Sequence, residues 1–255
     1  MKTTIKNSKD QKIVVLVENE QGKAGLAFVM HGLSGFKEQP QIAAFAEAFK
    51  EKDFVTVRFD TTNTFGESDG DYADATVTNY YEDLEDVIAW SQSQPWYQEP
   101  FYMAGQSLGG ICTILYTQSH PEKVKGLAPL STVVSGKLSS QALEKDLMEK
   151  WQQTGWREEK SESIPGLVKR LKWSHMTDRL KYDVLPKADR LKMPVLMAVG
   201  EKDNHTPLKH QQLLFDKLPG KKEIHVIKGA YHTFREPNHL AEIKQIFLNW
   251  LEAVE

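Results

Sequence analysis

Short apolar runs closed by glycine, proline or charged residues alternate along this chain with longer segments in which apolar side chains recur every three or four positions. A short continuous run suits a strand buried on both faces, and the longer period suits a helix lying on a sheet. The alternation therefore predicts an α/β fold: a mostly parallel central sheet flanked by crossover helices. Strands are expected at 13–18, 26–30, 55–59, 101–104, 126–130, 195–200 and 223–227. A helix is expected at 41–50, where Ile42, Phe45, Ala46 and Phe49 share a face, and another at 77–91 around Tyr80, Tyr81, Leu84, Val87 and Ile88. Further helices are expected at 108–119, 208–217 and 239–254. The first two strands leave no room for a helix between them, which predicts that they open the sheet as an antiparallel hairpin.

The rhythm stops between 131 and 193, a stretch of 13 basic and 9 acidic residues without a run that reads as a strand. It is expected to be a cap inserted at about 132–192 into a single domain spanning 1–255. Two amphipathic helices are expected within it. One covers 141–151, with Leu143, Leu147 and Trp151 four residues apart, and the other covers 164–175 around Leu167, Val168 and Leu171. The apolar side chains Leu147, Met148, Trp151, Trp156, Trp173 and Met176 suit either the lining of a pocket or the packing of the cap on the core. The excess of basic residues over 166–192, eight against three acidic, reads as a solvated helical face.

Composition narrows the class of protein. With 255 residues, 40% of them apolar, and 16 glycines, the chain is neither fibrous nor disordered. An α/β chain of this length commonly folds as one domain. A formal net charge of −3 provides no chain-wide positive field, so neither nucleic acid nor a membrane surface is an expected partner. The lone Cys112 permits no internal disulfide and no cysteine-rich zinc site, and it is expected to pack against the sheet. The apolar run at 13–17 is too short for a signal-peptide core, and nothing approaches the roughly 18 apolar residues of a membrane span. These features predict a soluble, cytoplasmic protein, with a homo-oligomer open.

The chemistry concentrates in four places. Strand 101–104 runs into Gly105, Gln106, Ser107, Leu108 and Gly109 and then a helix, which is G-x-S-x-G in the strand-turn-helix context that holds a serine at the tip of a strained turn. Ser107 is the candidate nucleophile, and the Leu108 amide at the helix start is a candidate oxyanion donor. Strand 26–30 ends in His31, Gly32, Leu33, Ser34 and Gly35, where a glycine lets the loop approach closely and offers the Leu33 amide as second donor. His31 is expected to fix that loop by hydrogen bonds, and Ser34 lacks the elbow that a nucleophile needs. A serine requires a base, and the base an acid. Past strand 195–200 lie Glu201, Asp203 and His205, of which Asp203 is best placed beyond the strand end. Past the last strand, Gly229 turns the chain before His232, the expected base. His120 reads as a helix-end residue, His225 as a strand residue, and His175, His210 and His239 as residues of helix surfaces or ends. No histidine pair has metal-ligand spacing with acidic support, so no metal is expected.

The order Ser107, Asp203, His232, the Gly-Gln-Ser-Leu-Gly elbow, the His31-Gly32 loop, Gly200-Glu-Lys-Asp203 and Gly229-Ala-Tyr-His232 together resemble the α/β-hydrolase family over most of the chain. The runs His31-Gly-Leu-Ser-Gly-Phe-Lys and Arg58-Phe-Asp60, leading to Gly66-Glu-Ser-Asp-Gly70, resemble the small bacterial carboxylesterases, including the cinnamoyl and feruloyl esterases. The resemblance implies the α/β-hydrolase fold, a cap after the sixth core strand, hydrolysis of short-chain or small aromatic carboxylic esters through an acyl-enzyme, and no cofactor. Asp60-Thr-Thr-Asn-Thr-Phe-Gly66 departs from the Asp-x-x-Gly-x-Gly of such relatives. The same elbow serves thioesterases, acyltransferases and aminopeptidase-like hydrolases, and non-catalytic binding proteins also share the fold. A small-molecule ester is the expected substrate.

Overall fold

The computed structural model describes residues 1–160 and 166–254. Ten strands follow in chain order: β1 (Lys2–Lys6), β2 (Lys12–Glu18), β3 (Gly25–Met30), β4 (Phe54–Asp60), β5 (Phe101–Gln106), β6 (Val124–Leu130), β7 (Trp156–Lys160), β8 (Val168–Lys172), β9 (Val195–Gly200) and β10 (Lys222–Ile227). Eight of them form the central sheet in the order β1-β2-β4-β3-β5-β6-β9-β10. From β4 to β10 every neighbouring pair is parallel, and only the β1–β2 and β2–β4 pairs are antiparallel. β4, β5 and β9 are buried at every residue, as strands covered on both faces must be, whereas β1 and β10 alternate or thin out at the two edges.

The expected hairpin between the first two apolar runs does not form. β3 lies between β4 and β5 and is parallel to both, and β2 pairs instead with β1 and β4. The run Leu26–Met30 is buried throughout, so it needs a strand on each side, while the shorter burial of β2 tolerates a place nearer the edge. β1 was not expected, because only Ile5 of Lys-Thr-Thr-Ile-Lys is buried.

The helices α1 (Pro40–Glu51), α2 (Val77–Ser91) and α3 (Leu108–Ser119) lie close to their expected spans. So do the later helices of the sheet, which close the chain. Proline at the first turn starts α1, and the Thr76 hydroxyl caps α2 by accepting the Asn79 N–H at 3.0 Å. Phe45 and Phe49 of α1 pack on one face of the sheet with Phe247 and Trp250 from the C-terminal helix. Leu84 and Val87 of α2 and Ile111 and Ile114 of α3 cover the other face.

Between β6 and β9 the chain leaves the sheet. It forms α4 (Gly136–Gln141) and α5 (Lys145–Thr154), then the β7–β8 hairpin, then α6 (Ser174–Arg179) and a 3-10 turn at 185–190. The helix expected at 164–175 is replaced: 161–165 lie outside the described residues, 168–172 is β8, and α6 begins at Ser174. The expectation failed because β7 and β8 are charged strands. Glu158 stands opposite Arg170 and Glu159 opposite Lys169, so the hairpin is held by cross-strand ion pairs rather than by an apolar face.

Trp151 anchors this excursion. It is buried, donates from Nε1 to the Leu171 carbonyl at 3.1 Å, and packs edge-on against Trp173 and parallel to His175. Met176 is also buried, so the tryptophan and methionine side chains chiefly pack this segment onto the body of the protein. Asp178 of α6 accepts the amide and hydroxyl of Thr78 at the start of α2, at 2.9 and 2.6 Å. The remaining helices are α7 (Leu208–Lys217) and α8 (Pro237–Val254).

Candidate active site

β5 delivers Ser107 to a turn whose backbone is strained: φ is +56° and ψ −111°, a left-handed conformation for a residue with a Cβ. The turn is tight because its glycines admit backbone where side chains would stand. A Cβ on Gly105 would lie 2.5 Å from the Gly109 carbonyl oxygen, and one on Gly109 would lie 2.4 Å from that of His31. α3 therefore starts at the end of the sheet, with its first intrahelical bond running from the Ile111 N–H to the Ser107 carbonyl. The amides of Leu108, Gly109 and Gly110 precede that bond and have no partner within the helix, which makes the start of α3 a local positive pole.

Two loops close on this serine. His232, in the loop after β10, places Nε2 2.9 Å from Ser107 Oγ and Nδ1 2.8 Å from Asp203 Oδ2. Asp203, just past β9, is 4% exposed. Its Oδ1 accepts the amides of His205 and Thr206, both at 2.9 Å, and its Oδ2 lies 2.8 Å from the Thr206 hydroxyl. Burial pushes the carboxyl up, but the hydrogen bond and charge of His232, together with the Thr206 bonds, outweigh it and hold the group well below the usual carboxylate range. The histidine loop is itself tied down, since Gln106 Nε2 donates to the His232 carbonyl at 3.1 Å. Of the rivals to Asp203, Glu201 accepts the exposed Gly229 amide instead. His205 stands with its ring centre 5.2 Å from that of His232 and faces the cavity described below. Thr206 and Gln106 are positioning groups that no spacing rule singles out.

The loop after β3 lies across from the elbow. A Cβ on Gly32 would fall 2.6 Å from Gln106 Oε1 and 3.0 Å from Ser107 Cβ, so glycine is what lets the loop, and with it Leu33, sit beside the serine. His31 is fully buried. Its Nδ1 donates to the Gly32 carbonyl at 2.8 Å and its Nε2 accepts the Thr61 amide at 3.1 Å, which joins the two loops through a neutral ring. Below it, Asp60, Glu38 and Glu67 surround the Lys37 ammonium at 2.7, 3.0 and 2.5 Å. Burial opposes the charge on Lys37, but these three partners raise its pKa, so the acidic group already holds a cation of the chain's own.

Three histidines expected on helix surfaces or ends, His175, His210 and His239, are buried. His175 and His31 have consequences for stability. Burial lowers the pKa of both below the usual histidine value, with the Arg179 charge adding to the effect on His175. The unfolded chain then binds protons that the folded chain refuses, so stability is level above about pH 6.5 and falls as pH drops below it, by up to about 1.4 kcal/mol per pH unit for each ring. Thermal melts at pH 7.5 and 5.5 should show a lower Tm at the acid value, with a shallower drop in His175→Gln. An unchanged Tm would overturn the assignment of neutral rings.

Ser107 and His232 open into a cavity of about 530 Å³. Its walls come from the β3 loop (Leu33, Phe36), from the β4 loop (Phe65, Tyr72), and from the excursion between β6 and β9 (Leu143, Arg157, Glu159, Lys169, Arg179). None of the six apolar side chains considered as pocket lining from sequence faces this cavity. Trp156 borders only a shallower neighbouring recess. The lining groups Arg157, Glu159 and Lys169 were missed, because they lie on β7, where no element was expected, and on β8, where a helix was expected. A nucleophilic hydroxyl, an imidazole within reach of its proton and a buried carboxylate behind the ring can together perform acyl transfer.

The strand order and the two helix layers are those of the α/β-hydrolase fold. Residues 22–238 match the family described as "Serine aminopeptidase, S33", and the chain belongs to that hydrolase family. Ferulic acid-bound Est1E from Butyrivibrio proteoclasticus superposes with a TM-score of 0.82 at 21% identity, covering 98% of each chain. Alpha/beta hydrolase domain-containing protein 10 from mouse gives 0.81 at 19% identity, covering 100% of each. At these identities the likeness is one of fold. An Escherichia coli protein, "Uncharacterized 31.7 kDa protein in traX-finO intergenic region", is 24% identical over 243 residues, covering 82% of this chain and 84% of its own. Among the described residues no helix is long and apolar enough to cross a membrane.

Proposed function

We propose that this protein is a serine carboxylesterase acting on small carboxylic esters, with the segment at about 132–192 as a cap over the site. The carrying observation is the continuous chain from Ser107 Oγ through His232 to Asp203, at 2.9 and 2.8 Å, opening into one cavity at the carboxyl ends of the strands. In this reading His232 takes the Ser107 proton as Oγ bonds to the ester carbonyl, and Asp203 stabilises the imidazolium. The amides of Leu33 and Leu108 receive the oxyanion. His232 returns the proton to the departing alcohol, and water, activated by the same ring, releases the acid. A cavity of about 530 Å³ suits an acyl group of modest size or a single aromatic ring.

The family's description raises aminopeptidase action as the rival. Recognition of a free amine needs an unsatisfied carboxylate in the cavity. Among the described carboxylates of the cavity, Glu159 on the cap side is already shared between Arg157 and Lys169 at 2.5 and 3.2 Å and Glu236 stands exposed at the other rim, which supports the ester reading. A fluorophosphonate probe tests the class: Ser107 Oγ forms a bond to phosphorus as fluoride leaves. Peptide mass mapping should place the adduct on Ser107, with hydrolysis of 4-nitrophenyl butyrate lost in step with labelling. An unlabelled Ser107 in protein that hydrolyses the ester would overturn the assignment.

A further inference from the structure

The cavity carries charge that ester hydrolysis alone does not use. Although the whole chain is net negative, its cavity wall holds, among the described residues, Arg157, Lys169 and Arg179 against the carboxylate Glu159 on the cap side, and Lys202, Arg235 and Glu236 toward the other rim. Glu159 answers Arg157 and Lys169 together. Arg179 is different. It is 9% exposed, and its one hydrogen bond runs from Nη1 to the Ser139 hydroxyl at 2.7 Å. Nε is buried without a partner, and no carboxylate among the described residues pairs with it. A guanidinium taken out of water without a counter-charge is costly to the fold. Burial, and then the neighbouring Arg157, lower its pKa to about 10, which still leaves it charged at neutral pH. Ser139 occupies Nη1 of the planar fork and Nε is closed in, so Nη2, neither bonded nor buried, is the donor left for an oxygen of a carboxylate. The same cavity is lined by the apolar side chains Phe65, Tyr72, Leu143 and Val133.

We propose that Arg179, seconded by Arg157, is a carboxylate-binding subsite, and that the preferred substrates are half-esters of dicarboxylic acids, or esters with an equivalent terminal carboxylate. The inference rests on the esterase reading, and it narrows that reading from esters in general to esters that are anionic at the end remote from the scissile bond. Such a substrate would supply the missing counter-charge while its methylene or aromatic middle lies on the apolar wall. A neutral ester of the same length leaves the guanidinium unanswered, so the subsite discriminates by charge.

Matched pairs of substrates test this: mono-4-nitrophenyl adipate against 4-nitrophenyl hexanoate, and mono-4-nitrophenyl suberate against 4-nitrophenyl octanoate, each corrected for spontaneous hydrolysis. The wild type should favour the anionic member of at least one pair by about tenfold or more in kcat/KM, chiefly through KM. Arg179→Met should erase that ratio while keeping its rate on the neutral member within about threefold. Arg179→Lys, which keeps the charge without the fork, should give an intermediate ratio and serves where the methionine variant does not fold. Calorimetry with monoethyl adipate on Ser107→Ala reads the subsite without turnover: binding should be present there and lost on adding the Arg179 substitution. Hydrolysis of the neutral esters without an anionic preference overturns the subsite and leaves the esterase. A preference that survives Arg179→Met overturns the role of Arg179. Failure to hydrolyse any ester overturns the esterase reading, and the calorimetry then decides the subsite by itself.

Discussion

Ser107→Ala is expected to lower kcat/KM for 4-nitrophenyl butyrate by about 10⁴ to 10⁶ while Tm stays within a degree or two of the wild type. The size follows from the loss of the attacking atom. His232 Nε2 then has no hydroxyl 2.9 Å away to deprotonate, and the residual rate comes from binding and from whatever the Leu33 and Leu108 amides give to attack by water. The small change in Tm follows from the backbone. The turn at φ +56° is as strained for alanine as for serine, and among the described residues the side chain makes no other hydrogen bond than the one to His232. A variant keeping more than a hundredth of the wild-type rate, with contaminating esterase excluded by phosphonate titration, would remove Ser107 from the mechanism. A collapse in Tm alongside the lost activity would make the result structural.

The parts of this site legible in the sequence are those whose chemistry needs a particular backbone. Gly105 and Gly109 are required where β5 turns into α3, and the letters around Ser107 carry that requirement directly. Asp203 and His232 were legible because they follow apolar runs that could only be β9 and β10, and the ends of parallel strands converge in space. The excursion between β6 and β9 was legible as a break in rhythm and no further. Its hairpin strands Trp-Arg-Glu-Glu-Lys and Val-Lys-Arg-Leu-Lys bury little, so hydrophobic period had nothing to register. The usable signal was a different one, acidic positions on one strand placed to meet basic positions on the other. Trp151 illustrates the same limit from the opposite side. Its spacing from Leu147 identified a face of α5, although Leu143 precedes that helix and the expected 141–151 span is split between α4 and α5, and whether the face met the substrate or the hairpin depended on β7 and β8, which were unseen. Arg179 had no signal at all, since a buried unpaired arginine and a solvated one are the same letter. The expected β2–β3 hairpin failed for a related reason: proximity in sequence suggested pairing, but the full burial of β3 demanded two parallel neighbours.

Asp203→Asn should reduce kcat by about 10⁴ near pH 7 while leaving the fold in place, and the hydrogen bonds around Asp203 say why an isosteric change is so damaging. Oδ1 accepts two backbone amides, from His205 and Thr206. An asparagine must keep its carbonyl oxygen on that side, because its NH2 group there would face two further donors. Its NH2 group is therefore turned toward His232 Nδ1, from which Asp203 Oδ2 now accepts a hydrogen bond. The imidazole answers by carrying its proton on Nε2, pointing at Ser107 Oγ, and in that tautomer it cannot act as base. Nitrogen-15 NMR of the histidine rings should report the change directly, with the protonated nitrogen of His232 moving from Nδ1 to Nε2. A lost rate with Nδ1 still protonated would mean that charge stabilisation, rather than tautomer control, is what Asp203 supplies. An Asn variant within tenfold of the wild type would remove Asp203 from the triad. The depressed pKa of Asp203 adds a second reading of the same geometry. Its contribution to stability is present above the unfolded carboxylate value near pH 4 and is lost only as pH falls through the lower folded value. Acid-unfolding curves of wild type and Asn variant should therefore differ in slope below about pH 4 and run parallel above it.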